Sequence, residues 1–249
     1  LSSTGTVGLG ILLLFILLML AFASLGRRWE STFRELPGLD ALGNAIERAV
    51  ESGRRVHLSL GTGSVSGTDS APALAGLALL KRIAAITSMS DKPVVATTGD
   101  GAMALLAQDS LRTAYSDVGA KDRFESISGR MLGPTPYSYV ATMPTMLDTE
   151  DVSVHLMVGS FGAESGLAAD FGDRQHAMVL AGTDDVQSQA LLYATAKNPL
   201  VGEEVFAVGA YLDVSPLHKA SLRTQDVVRY LVVGAILVGA LLHTLGIGL

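Results

Sequence analysis

The chain has no cysteine. That removes disulfides, thiolate nucleophiles and sulfur-ligated metal sites, and it fits a reducing compartment. Charge is also scarce. Asp, Glu, Lys and Arg make up 17% of the 249 residues, against about a quarter in an ordinary soluble domain. The 18 basic residues are mixed among 24 acidic ones, for a net charge of -6. No basic patch is left to attract a polyanion, so nucleic acid is not an expected partner.

The missing charge is explained by two apolar runs, which also raise the mean hydropathy to +0.40. Val7 to Leu25 reads VGLGILLLFILLMLAFASL, and Tyr230 to Leu249 reads YLVVGAILVGALLHTLGIGL, with His243 its one ionisable side chain. About twenty residues of helix cross a hydrocarbon core of about 30 Å, and a helix satisfies its own backbone there. Two membrane helices are therefore expected, over 7–25 and 228–249, with membrane lipid as a partner. A signal peptide is the rival for the first run, but AFASLGRR is a poor cleavage context. Arg27 and Arg28 follow the first run, while His218, Lys219, Arg223 and Arg229 precede the second. By the positive-inside rule the middle of the chain faces the cytoplasm and both ends point outward. The expected location is the inner membrane.

Residues 30–215 alternate between two periods. Leu39, Leu42, Ile46 and Val50 recur at helical spacing within 37–52, and 70–87, 101–117, 161–171 and 184–196 also read as helices. Between them 55–60, 93–97, 152–158 and 176–181 read as short apolar strands. Strands alternating with helices, and apolar on both faces, predict a Rossmann-like, mainly parallel α/β sheet with helices on both sides. Residues 137–142 read as a further strand, antiparallel to 152–158. Residues 205–212 read as helix rather than strand, because Glu203 and Glu204 stand at their start.

Each of the four strands is followed by a loop rich in Gly, Ser, Thr or acid: GTGSVSGTDS from Gly61, TGDGA from Thr98, GSFGAES from Gly159 and GTDD from Gly182. If the strands are parallel, these loops gather at the carboxyl edge, where open α/β sheets bind ligands. The candidate ligand-binding residues are Gly61, Gly63, Ser64, Thr68, Asp69, Thr98, Gly99, Asp100, Ser160, Glu164, Thr183 and Asp184. The same residue types make tight turns and helix caps. A pocket, plain capping chemistry and a surface for another subunit thus remain as alternatives. The acids at the edge, Asp185 included, suit a hard cation or serve as solvated caps.

Specific motifs narrow this little. No G-x-x-x-x-G-K-[ST] occurs, and a G-x-G-x-x-G from Gly61 meets Ser66 where the third glycine belongs. VHLSLGTGS resembles the first motif of S-adenosylmethionine-dependent methyltransferases, but Ser59 holds the acidic position. GSVSG and GAESG only approach the hydrolase G-x-S-x-G. His57, His155 and His176 fall inside expected strands and read as core or edge histidines. No histidine pair has metal-ligand spacing, so no metal site is expected, and the cofactor stays unknown. In the second apolar run, Ala235 and Gly239 have the small-xxx-small spacing that lets helices approach, with His243 nearby as a packing residue.

RELPGLDALGNAIERAVESGRRVHLSLGTG, KPVVATTGDGAMALLAQDSLRTAY, GSFGAESGLAADFGDRQ and GTDDVQSQALLYATAKNP together resemble an uncharacterised family of bacterial membrane proteins, a domain of unknown function. The resemblance implies a membrane-anchored α/β domain and assigns no catalytic residue. The expected role is a self-associating structural or scaffold subunit, a homo-oligomer with a small ligand at the loop edge. The alternatives are a ligand sensor or enzyme at the membrane surface and an accessory subunit of a larger membrane complex.

Overall fold

The computed structural model describes residues 3–25, 34–67, 69–212 and 215–245. Thr68, Arg27, Arg28 and the point at residue 30 where the α/β domain was expected to begin lie outside them. Two compact units are distinguished: one from the two ends of the chain, 1–33 and 215–249, and one from 34–214.

The unit of chain ends holds α1 (Ser3–Leu25) and α10 (Pro216–Thr244), which pack along each other. Both are long and apolar enough to cross a membrane by length and composition. Ser215 caps α10 by accepting the Leu217 N–H, and Pro216 fills the first turn, where a missing N–H costs nothing.

The other unit contains α2 (Pro37–Glu51), β1 (Arg55–Gly61), α3 (Ser70–Thr87), β2 (Val95–Thr98), α4 (Gly101–Asp117), β3 (Gly129–Met131), α5 (Pro136–Ala141), α6 (Met143–Thr149), β4 (Val152–Ser160), α7 (Ser165–Arg174), β5 (Met178–Gly182), α8 (Val186–Thr195), β6 (Asn198–Leu200) and α9 (Glu204–Tyr211). Its six strands form one sheet in the order β3-β2-β1-β4-β5-β6, and every pairing is parallel. This is the doubly wound order, which reverses between β1 and β4.

Strand alternation divides the core in two. Val56, Leu58, Leu60, Ala96, Val154, Leu156, Val158 and Leu180 face α2, α3, α4 and α9. Met157, Val179 and Ala181 face α5, α6, α7 and α8. With helices on both faces, β1, β2, β4 and β5 have no wet side, which accounts for their near-continuous apolar sequence. Helix α3 is itself apolar enough to be mistaken for a span, but half of it is buried.

The expected antiparallel strand at 137–142 is α5. Thr135 caps this helix: its hydroxyl accepts the Ser138 N–H and the Ser138 hydroxyl accepts the Thr135 N–H, with Pro136 in the first turn. The apolar residues there follow helical rather than strand spacing, so that Tyr139, Val140, Met143, Met146 and Leu147 are all buried. His176 is not in a strand either. It turns the chain ahead of β5 at φ 55, in the left-handed region. Strands β3 and β6, three residues each, were not expected. GRM and NPL have no strand pattern of their own and are formed by pairing with β2 and β5.

Candidate functional site

All strands being parallel, the loops after β1, β2, β4 and β5 meet at the carboxyl edge. Gly61 ends β1 at φ 75, and a β-carbon on it would stand 1.9 Å from the Ser160 carbonyl oxygen. A β-carbon on Gly63 would stand 2.6 Å from the Ser160 Cβ. The Thr62 N–H donates to the Ser160 carbonyl at 2.9 Å. The Gly-Thr-Gly run thus lets the exit of β1 lie directly against the exit of β4. The β2 loop joins them. The Gly99 N–H donates to the Gly61 carbonyl at 2.8 Å, and the Thr98 hydroxyl donates to the same carbonyl at 3.2 Å.

Several predicted site residues hold this edge together. Asp100 caps α4, its carboxylate accepting the Met103 N–H at 2.8 Å. Ser64 closes a turn, its carbonyl accepting the Gly67 N–H. Thr183 and Glu164 are buried below the edge. The first accepts the Phe161 N–H at 3.3 Å, and the second accepts the Gly162 N–H at 2.9 Å.

Asp69, Ser160 and Asp184 come together. They line a cleft of about 570 Å³ at the reversal of the strand order, along with Thr62, Pro136, Phe161, Gly162, Ala163, Asp185 and Gln187. Three carboxylates face it, and none of its described lining residues is basic. Asp69 directly precedes α3, yet its carboxylate caps nothing there. One oxygen lies over Gly67 and the other is 3.4 Å from the Ser160 hydroxyl. Dinucleotide-binding folds hold a pyrophosphate at this helix N-terminus, and here a carboxylate stands beside it and opposes a second anion.

The cleft acids are held differently. Burial raises the pKa of Asp184, and the charges of Asp185 and Asp69 push it the same way. Asp185 caps α8. Its carboxylate accepts the Ser188 hydroxyl at 2.6 Å and the Ser188 N–H at 2.8 Å, which hold its pKa below the usual value. Among the described residues, no three His, Cys, Asp or Glu stand close enough to share a metal ion. Pro136 and Gln187 carried no sequence signal, because α5 and α8 reach the cleft only through the fold.

Beneath the cleft, on the α5–α8 side of the sheet, lies a polar chain inside the core. His57 and His155 are paired across β1 and β4, both fully buried, with rings parallel to within 3° and Nδ1 atoms 2.8 Å apart. His57 Nε2 bonds the Thr97 hydroxyl at 2.8 Å, Thr97 bonds the Tyr139 hydroxyl at 2.7 Å, and Tyr139 bonds the Ser59 hydroxyl at 2.6 Å. The Gly61 backbone acts on the same phenol oxygen. Burial lowers the His57 pKa well below its usual value, with the charges of His155 and Arg130 adding to the effect. Burial takes His155 down to about 4, against an opposing pull from the Ala168 backbone. It pushes Tyr139 up to about 12, against the hydrogen bonds from Ser59 and Thr97. His155 Nε2 is buried without a hydrogen-bond partner. The expectation of core histidines describes His57 well. What it missed is the shared register, which brings two separate strands' histidines onto one face.

In the unit of chain ends, Ala235 and His243 lie exposed on α10. Among the described residues, no atom outside α10's own backbone stands within 4 Å of where a β-carbon on Gly234 or Gly239 would be.

With this geometry in hand, the chain compares with known proteins as follows. It belongs to the family described as Domain of unknown function (DUF6754), matched over residues 3–248. No curated protein matches it, and no solved structure does. The family therefore assigns no activity to the cleft.

Proposed function

We propose that the chain is a membrane-tethered binding protein. Its α/β domain is held on the cytoplasmic side between two spans. It takes a small polar molecule bearing a positive charge, such as an organic ammonium, at the crevice between the exits of β1 and β4. The observation that carries this reading is the cleft itself. It lies at the reversal of the strand order, and Asp69, Asp184 and Asp185 face it with no described basic partner in its lining. Burial first, and the charges of Asp185 and Asp69 after it, disfavour an ionised Asp184, and a bound cation would offset both. The Gln187 amide, the Ser160 hydroxyl and the apolar Phe161 would orient the rest of the ligand.

The test is native mass spectrometry of the protein extracted gently from its own membrane, compared with the Asp69→Asn/Asp184→Asn variant. A stoichiometric adduct that the variant loses is expected, and its mass identifies the ligand class. An adduct that persists in the variant overturns the cleft as the binding site.

Self-association is the second part of the proposal. Ala235 and Gly239 stand one turn apart on one face of α10, and no described atom outside the helix's own backbone lies within 4 Å of where a β-carbon on Gly239 would be, so a second span can approach closely there. The same spectra read the copy number. A discrete homo-oligomer that Gly239→Leu converts to monomer is the expected result, and a monomeric wild type overturns it.

A further inference from the structure

The geometry of the buried imidazole pair limits where protons can sit. The two Nδ1 atoms are 2.8 Å apart, so one of them must carry the shared proton and the other must be bare. From there two directions of the chain are open. Thr97, Tyr139 and Ser59 can each donate or accept, and they reverse together when the tautomers exchange. A single added proton can still be threaded through this network. A second cannot, because both facing Nδ1 atoms would then carry hydrogens and two cations would meet in a fully buried site.

Among the described residues no carboxylate is bonded to either imidazole. On the β3 side the charged group acting on His57 is Arg130, which repels it. From α5 comes neutral Tyr139. At the start of α7, Glu164 acts on Tyr139, and α7 itself presents Gly172 and Ala168 to His155. A doubly charged pair can be accommodated only by separating the rings. Those rings join β1 to β4 at His57↔His155, on the same two strands that end in the Gly61↔Ser160 abutment at the cleft.

We propose that the His57–His155 pair is an acid-sensitive latch: taking up protons forces β1 and β4 apart locally and loosens the crevice loops above them. The latch stands whether or not the cleft binds a cation, because its readout needs no ligand.

The test is hydrogen exchange on the full chain in lipid nanodiscs, corrected for intrinsic rates, from pH 7 to pH 5. Segments 57–61 and 155–160 are expected to lose protection before α3 and α9 do. The opening equilibrium rises about tenfold per pH unit for each proton taken up. The His57→Leu/His155→Leu variant removes both titrating rings and is expected to abolish the pH dependence. Should that variant not fold, His155→Gln keeps an amide partner for His57 Nδ1 and leaves one titrating ring, which reduces the slope to that of one proton. Simultaneous loss of protection across the whole sheet overturns the latch. So does unchanged protection of β1 and β4 at pH 5, or an unchanged slope in the variants.

Discussion

Replacing Gly61 by alanine asks directly what the glycines after β1 are for. Alanine in the left-handed region costs about 1–2 kcal/mol, and Gly61 sits there at φ 75. The new methyl would begin 1.9 Å from the Ser160 carbonyl oxygen, so the β1 and β4 exits must part by roughly an ångström before ordinary contact is reached. That movement breaks or bends two hydrogen bonds, Thr62 N–H to Ser160 at 2.9 Å and Gly99 N–H to Gly61 at 2.8 Å, at about 1 kcal/mol each. The expected total is roughly 3–4 kcal/mol. Gly53→Ala supplies the control. Gly53 lies at φ 65 with nothing within 4 Å, so it bears the backbone cost alone, about 1–2 kcal/mol. Urea titrations of the full chain read by pulse proteolysis separate the two. With a urea slope of about 2 kcal/mol per molar, Gly61→Ala lowers the midpoint by roughly 1.5–2 M and Gly53→Ala by under 1 M. Equal losses would refute the argument that loop abutment, rather than ligand approach, requires glycine there.

Three further outcomes follow from the same structure. His57 and His155 both have lowered folded-state pKa values, so the unfolded chain binds more protons. Stability is full above pH about 6.5 and falls as pH drops toward 4, by about 2 kcal/mol between pH 6 and pH 5 for the two rings together; urea midpoints against pH check this, and a flat profile there contradicts it. Glu150 bridges Arg55 and Arg130 with side chains that are about four-fifths buried, so Glu150→Gln is expected to cost about 2 kcal/mol, whereas Asp117→Asn, whose partner Lys81 is half-exposed, costs under about 0.5 kcal/mol. Tyr139→Phe removes a buried hydroxyl bonded to Ser59 and Thr97 and is expected to cost about 1–3 kcal/mol by thermal or urea unfolding; a neutral result would show that the two remaining hydroxyls re-pair across the gap.

Local sequence was decisive wherever one residue type serves one local purpose. Helical spacing of Leu39, Leu42 and Ile46, the run SAPALAGLALLKRIAAIT and the apolar stretches 55–60 and 152–158 each announced their elements, because periodicity and turn chemistry are properties of neighbours in sequence. Alternation of those elements was enough for a parallel α/β sheet, since a parallel crossover needs a helix between strands. The long apolar runs were legible for the same reason. Short strands β3 and β6 were not, because an edge partner supplies the order that three residues lack. Nor was α5, a helix of 6 residues whose start is set by the Thr135–Ser138 cap and whose apolar spacing shows only when it is read on into α6.

At the site, sequence listed the loops and the tertiary structure sorted them. It placed Asp69, Ser160 and Asp184 on one cleft, set Asp100 to capping, and buried Glu164 and Thr183. It also joined His57 to His155, 98 residues apart, through a strand register that no local pattern encodes. Sequence alone determined which segments are apolar, which long segments are helical and where most of the turns fall, because those depend on a residue and its near neighbours. Only the tertiary structure decided which acids meet and which histidines share a proton, because those distances depend on strand order and register, set by the packing of the whole sheet.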